Sequence, residues 1–167
     1  FILCSATIAN GGAHAERLIG QPVTVVDTDG SPAGPRQFVF WNPPLTDPQH
    51  GTRHSINAEA AGILATLVRE GVRNITFVRA RKLAELIYLY ARDGLAKDQG
   101  DLADRIAPYR AGYLAAERRE IERRLFSGEL LAVVSTNALE LGIDVGHLAA
   151  TVLVGYPSAQ GGSRYNA

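Results

Sequence analysis

The apolar run Leu130-Leu131-Ala132-Val133-Val134 passes directly into Ser135-Thr136-Asn137. Hydroxyl groups at the carboxyl end of a strand can donate hydrogen bonds to phosphate oxygens. A helix starting there would add free N–H groups and a favourable dipole. Ser135 or Thr136 would serve equally well as an ordinary helix N-cap, and the residues alone leave both roles open. Further on, Asp144 stands between Ile143 and Val145, close to Gly142 and Gly146. It could accept hydrogen bonds from a ribose hydroxyl, or it could be a turn aspartate.

A second constellation is Tyr109-Arg110-Ala111-Gly112-Tyr113. Here an Arg at an expected strand end lies between two aromatics and beside a Gly that permits close approach. That combination suits a polyanion backbone with stacking nearby, although an exposed loop Arg would look the same. The Arg-rich stretch 117–124 is interleaved with Glu117, Glu120 and Glu122. A solvated, internally paired helix face is its better explanation.

Other chemistries find little support. His50 and His54 are four residues apart but have no helical context and no nearby carboxylate cluster, so no metal site is expected. Cys4, the single cysteine, follows apolar residues and is expected to be a small buried side chain. It excludes an intrachain disulfide framework and a Cys-based zinc site. There is no Gly-x-x-x-x-Gly-Lys-[Ser/Thr] phosphate loop and no acidic quartet for Mg²⁺. The chain therefore lacks the parts to hydrolyse a nucleoside triphosphate alone.

These segments need elements to position them, and the hydrophobic pattern supplies candidates. A short helix is expected over Ala13–Ile19, and strands over Val23–Val26 and Gln37–Trp41, where β-branched and aromatic residues are bounded by Pro, Asp and Asn. Residues 45–55 are expected to be a loop. Ala60, Ile63, Leu64, Leu67 and Val68 recur at helical spacing until Gly71, and Leu83, Leu86, Ile87 and Tyr90 form a second stripe. Strands are expected at 74–78, 106–109, 130–134 and 148–155, with a helix over Glu117–Leu125. Strands alternating with amphipathic helices indicate βαβ units and a mostly parallel α/β sheet. Ligands of such sheets bind beyond the carboxyl ends of the strands, which is where Ser135–Asp144 and Tyr109–Tyr113 fall.

The composition sets outer bounds. The chain has 167 residues, 46% of them hydrophobic, enough for a packed core. Its formal charge is zero, with 17 basic and 17 acidic residues, so nothing draws the whole surface to nucleic acid. Only Lys82 and Lys97 are lysines; the other 15 basic residues are arginines, which suit planar bidentate contacts. No run of about 18 apolar residues occurs, and the default location is cytoplasmic, with no membrane partner. The opening on Phe1-Ile2-Leu3-Cys4 and the close on Gly161-Gly162-Ser163 lead to the expectation that this is a fragment of a larger protein.

Four segments in order carry a family resemblance: Cys4-Ser5-Ala6-Thr7, Ile75-Thr76-Phe77-Val78-Arg79-Ala80-Arg81, Tyr109-Arg110-Ala111-Gly112-Tyr113 and Ser135–Asp144. They resemble helicase motifs III and IV, the nucleic-acid motif after IV, and motif V of superfamily 2 helicases of the DEAD/DEAH type. The wording of residues 133–146 looks most like the bacterial and archaeal branch of DNA helicases that carry a C-terminal cysteine-rich domain. The similarity covers nearly the whole chain.

The resemblance implies two RecA-like lobes with ATP and Mg²⁺ between them and nucleic acid across their top. Residues 1–19 would be the end of lobe one, 20–55 the connection and first strands of lobe two, and 56–167 the C-terminal RecA-like lobe. It implies that Ser5, Ala6 and Thr7 couple nucleotide state to strand engagement. Arg79, Arg110, Gly112, Thr136, Asn137 and Gly142 would face the nucleic-acid backbone, and Asp144 the ATP ribose or the interlobe network. The implied partner is single-stranded or duplex DNA rather than RNA, together with a missing N-terminal lobe, in a monomeric parent. The fragment itself would hold neither ATP nor Mg²⁺ firmly.

Two departures qualify the match. Leu141 stands where DEAD-box proteins proper have Arg, which favours a translocating relative over an RNA clamp. After Gly155-Tyr156-Pro157 the family continues into a Gln/His-x-x-Gly-Arg-x-Gly-Arg motif whose arginines complete the ATP site. This chain has Arg164 alone in that region, and no finger can be assigned to it. The rival expectation is a non-catalytic RecA-like module that binds nucleic acid or a protein. A small nucleotide-dependent enzyme on a doubly wound sheet is weaker, because no Gly-rich cradle follows the first strand.

Overall fold

The strand that the sequence marks most clearly, β5 (Ala132–Ser135), lies inside a four-stranded sheet and is buried along its whole length. A computed structural model describes residues 1–5, 8–28, 30, 34–110, 112–136, 139 and 148–155. The chain divides into two units after Trp41.

In the first unit the helix α1 (Gly11–Ile19) ends on Gly20, whose φ of 70° lets its N–H close back on the Glu16 carbonyl. Val25 packs so closely on α1 that a Cβ at Gly12 would lie 2.8 Å from its Cγ2. The strands expected at Val23–Val26 and Gln37–Trp41 do not form among the described residues. Val26, Phe38, Val39 and Phe40 are exposed, and Phe38 and Phe40 meet edge to face at 5.1 Å. β-branched residues suit a strand, but a strand also needs a neighbour for its ladder bonds, and no described segment pairs with either run. Cys4, expected to be buried, is exposed for the same reason: residues 1–5 join no sheet.

The second unit opens with an antiparallel ribbon, β1 (Leu45–Asp47) and β2 (Thr52–Arg53), where a loop was expected. Its turn is made by side-chain chemistry. The Asp47 carboxylate accepts from the Gln49 and His50 N–H groups, and Gly51 adopts a φ of 67°. The helix α2 (Ile56–Arg69) then leads to β3 (Asn74–Phe77), α3 (Arg81–Asp98), the single turn α4 (Gly100–Ala103), β4 (Ile106–Tyr109), α5 (Ala115–Phe126), β5 and β6 (Ala150–Leu153). The helix α3 runs on past Gly94 as far as Asp98.

The sheet order is β4-β5-β3-β6, and every neighbouring pair is parallel. On one face Ala132 and Val134 of β5 join Leu64, Val68, Ile87 and Leu95 from α2 and α3. On the other, Val133 and Ile75 join Leu125 of α5, Leu130 and Leu139. Burial on both faces accounts for the unbroken apolar run of β5 and for the parallel arrangement.

The arginine excess also finds a structural use. Arg53, Arg69, Arg73, Arg105 and Arg124 each donate to main-chain carbonyls, of Pro43, Gly94, Leu125, Gly128 with Glu129, and Asp104 respectively. A guanidinium can serve two acceptors at once, which the compact lysine ammonium does less well. Arg123 pairs with Glu120 within α5, as the interleaved charges suggested, while Glu129, beyond the helix end, takes contacts from Arg123 and Arg124.

Candidate nucleic-acid interface

The register places the ends of the four strands level. Phe77 lies opposite Ser135 and Leu153, and Tyr109 opposite Ser135, so one row runs Tyr109, Ser135, Phe77, Leu153. The residues that follow stand side by side at the carboxyl edge: Arg110, Thr136, Val78 with Arg79, and Val154 with Gly155. The row is secured by Val78 N–H donating to the Ser135 carbonyl at 2.8 Å and Val154 N–H donating to the Phe77 carbonyl at 2.9 Å.

Each member has a distinct setting. Arg79 is exposed and lies over Gly155; a Cβ there would meet its Nε at 3.8 Å. Gly155 has a φ of 91°, a conformation that L side chains rarely adopt. Ser135 is fully buried, and its hydroxyl donates to the Thr136 carbonyl at 2.7 Å, which commits that group internally. Thr136 is also buried, at 7% exposure, and so forms the wall of the edge rather than its surface. Gly112 is exposed, and Arg81 Nη1 would stand 4.0 Å from a Cβ placed on it.

Arg110 is the most constrained cation. Its guanidinium carbon lies 4.8 Å from the centroid of the Tyr113 ring, and its Nε lies 3.2 Å from Glu85 Oε1. The Tyr113 hydroxyl donates to the same oxygen at 3.3 Å. Burial, followed by the charge of Glu85, pushes the Tyr113 phenol above its ordinary value. Beneath this group Tyr109 is buried and donates to Glu122 at 2.6 Å, and its pKa is pushed up to about 12, chiefly by burial. The α5 start is held by Leu114 N–H donating to Glu117 Oε2 at 2.8 Å.

An open pocket of about 380 Å³ adjoins the row, lined by Ile56, Asn57, Arg79, Leu83, Val154 and Gly155. The edge thus brings Arg79, Arg81 and Arg110 to one side of the sheet, with aromatic and small residues between them. Cations held at the end of a packed sheet can grip a polyanion.

Of the residues proposed from sequence, Arg79, Arg110, Gly112 and Thr136 fall on this edge. Ser5 belongs to the first unit and is exposed. Ala6, Thr7, Asn137, Gly142 and Asp144 lie outside the described residues. The sequence shows Tyr113 as one of two aromatics flanking Arg110 and gives Glu85 and Arg81 no role. For Tyr113 the signal was its spacing from Arg110, whereas nothing local ties Glu85 to a residue 25 positions later. His50 pairs with Asp47 and His54 with Glu59, and no group of three metal-ligating side chains occurs among the described residues.

No protein-family model matches the chain. It is 43% identical over 159 residues to the ATP-dependent helicase YprA of Bacillus subtilis, covering 95% of this chain and 21% of that protein. It is 41% identical over 162 residues to the ATP-dependent helicase hrq1 of Schizosaccharomyces pombe, covering 94% of this chain and 15% of that protein. Among solved structures, the DUF1998 helicase MrfA bound to DNA and AMPPNP superposes with a TM-score of 0.83 at 44% identity, over 92% of this chain and 21% of that one. The chain therefore spans about a fifth or less of the length of these relatives. Its parallel sheet flanked by helices is a RecA-like lobe, and the chain is related over nearly its whole length to superfamily 2 ATP-dependent helicases.

Proposed function

We propose that this chain is the strand-gripping part of an ATP-dependent DNA helicase or translocase, with Arg79 and Arg110 as the principal backbone contacts. The observation that carries this is the level row of strand ends, which sets Arg110, Thr136 and Arg79 along one edge. The likeness to a helicase crystallised with DNA supports DNA as the polymer. Residues 1–19 are then the end of a first lobe, 20–55 the connection and 56–167 the second lobe. The wording of residues 133–146 supports a place nearest the bacterial and archaeal branch of DNA helicases that carry a C-terminal cysteine-rich domain, and a cytoplasmic setting. In the DNA-engaged state Ser5, Ala6 and Thr7 relay nucleotide state, Asn137 contacts the nucleic-acid backbone where Gly112 and Gly142 let it approach, and Asp144 faces the ATP ribose or the interlobe network.

The described residues do not by themselves fit ATP and Mg²⁺. The sequence has no phosphate loop, and no group of three His, Cys, Asp or Glu side chains is placed to hold a cation among the described residues. ATP turnover belongs to the whole protein, and no step of it is assigned to these side chains. What they do is bind and orient: guanidinium groups neutralise phosphates, and the rigid sheet keeps their spacing.

The test is fluorescence anisotropy of a labelled single-stranded oligonucleotide titrated with the chain across a range of salt concentrations. Binding should be weak and salt-sensitive, and Arg110→Ala should weaken it. Salt-independent binding, or no effect of Arg110→Ala, would overturn the assignment. A phosphate-release assay with single-stranded DNA should show no ATP turnover by this chain. The lack of a phosphate loop in these residues keeps one other reading in play, a non-catalytic RecA-like binding module. A phosphate loop and acidic box in the flanking sequence would decide for the motor.

A further inference from the structure

Glu85 sits where three elements converge. It belongs to α3, Arg110 follows β4, and Tyr113 lies in the loop before α5. The Arg110 guanidinium carbon lies over the Tyr113 ring, 4.8 Å from its centroid, and Glu85 Oε1 stands 3.2 Å from its Nε. A guanidinium offers phosphate its terminal edge, with two parallel N–H groups. The carboxylate thus engages the guanidinium at Nε, its inner side, and no hydrogen bond among the described residues involves its terminal nitrogens. No other carboxylate among the described residues pairs with Arg110.

The details favour orientation over stability. The Arg110 and Glu85 side chains are 39% and 33% exposed, so their ion pair contributes little to folding. Arg110 Nε is itself buried, and its N–H is not aligned on the carboxylate as a hydrogen bond despite the 3.2 Å separation. The contact is an electrostatic one that draws the guanidinium toward the Glu85 carboxylate. The Tyr113 hydroxyl fixes the carboxylate in turn.

We infer that Glu85 is a positioning residue for nucleic-acid binding: with Tyr113 it aims the terminal edge of Arg110 at a backbone phosphate. This rests on the proposed interface at the carboxyl edge. A carboxylate near a phosphate repels it, so deleting Glu85 as a mere charge would tighten binding. Deleting it as the residue that aims Arg110 weakens binding.

The experiment measures affinity of the full chain for a fluorescein-labelled oligothymidylate as a function of salt. The variants are Glu85→Gln, Arg110→Ala and the double substitution. Glu85→Gln keeps an acceptor for Tyr113 but removes the charge. It should weaken binding roughly three- to tenfold, the scale of one charged hydrogen bond made imperfectly. The slope of log affinity against log salt should fall by about 0.7, as for one lost phosphate contact on a single strand. Added to Arg110→Ala, it should cause no further loss. Circular dichroism melts establish that each variant folds. If Glu85→Gln does not, Tyr113→Phe, which removes only the hydroxyl, should give a smaller loss in the same direction. Glu85→Gln, or Tyr113→Phe in its place, binding as tightly as the parent or tighter, while Arg110→Ala weakens it, would overturn the role of Glu85 alone. No change with Arg110→Ala would instead remove the interface on which the inference rests.

Discussion

The Tyr109 hydroxyl donates to Glu122 Oε1 at 2.6 Å, which ties the last residue of β4 to α5 one position before Arg110. The bond joins a buried phenol to a half-buried carboxylate. Tyr109→Phe should therefore lower stability by roughly 1.5–3 kcal/mol, the range for hydrogen bonds to charged acceptors. Urea denaturation should show a lower midpoint with an unchanged slope.

The same residue sets an alkaline limit. Its folded pKa is pushed up to about 12 from an ordinary 10.0, because burial and Glu122 both disfavour the phenolate. The unfolded chain then loses this proton before the folded chain does, so stability falls as pH rises. The contribution is fully present below pH 10.0 and is lost as pH rises through about 12. Melting temperatures over this window should fall less steeply for Tyr109→Phe. Tyr113, shifted in the same direction, should leave some residual slope.

In β3, Thr76 is completely buried, and its hydroxyl oxygen has no hydrogen-bond partner among the described residues. An unsatisfied buried polar group is destabilising, and Val keeps the β-branched shape. Thr76→Val should raise stability by roughly 1 kcal/mol. A thermal shift upward with oligonucleotide affinity unchanged would bear this out; a downward shift would count against it.

Gly155 closes β6 with a φ of 91° beneath Arg79. Gly155→Ala imposes a Cβ on that backbone and should cost roughly 1–2 kcal/mol. Denaturant unfolding would measure it. A neutral result would mean that the turn can relax.

Arg105 donates through Nε to the Glu129 carbonyl and through Nη2 to the Gly128 carbonyl, pinning the turn between α5 and β5. A lysine cannot reproduce both bonds in that geometry. Arg105→Lys should destabilise by about 1 kcal/mol despite the conserved charge. Equal unfolding midpoints for the two proteins would argue that the fork is dispensable.

The parallel sheet was legible because its cause is local. Leu130–Val134 is apolar throughout, and the helical stripes around Leu64 and Ile87 face the same core. The position of Arg110 at a strand end followed from the same rhythm. What escaped was everything decided by a distant neighbour. Val23–Val26 and Gln37–Trp41 have strand composition, yet composition does not say whether a partner strand lies alongside. The ribbon at Leu45–Arg53 was hidden in polar sequence because the Asp47 side chain, not an apolar pattern, shapes its turn. The partnership of Glu85 with Arg110 crosses from one helix to another element's end and leaves no spacing to read.

The level row of strand ends has a mechanical consequence. A load applied along the strand axes at Arg110 enters β4, whose ladder to β5 is strained in shear, with its bonds sharing the force side by side. β5 passes that force to β3, and β3 to β6, through ladders of the same direction. Under such a load the carboxyl edge would move as one stiff bar, keeping the distance between Arg110 and Arg79.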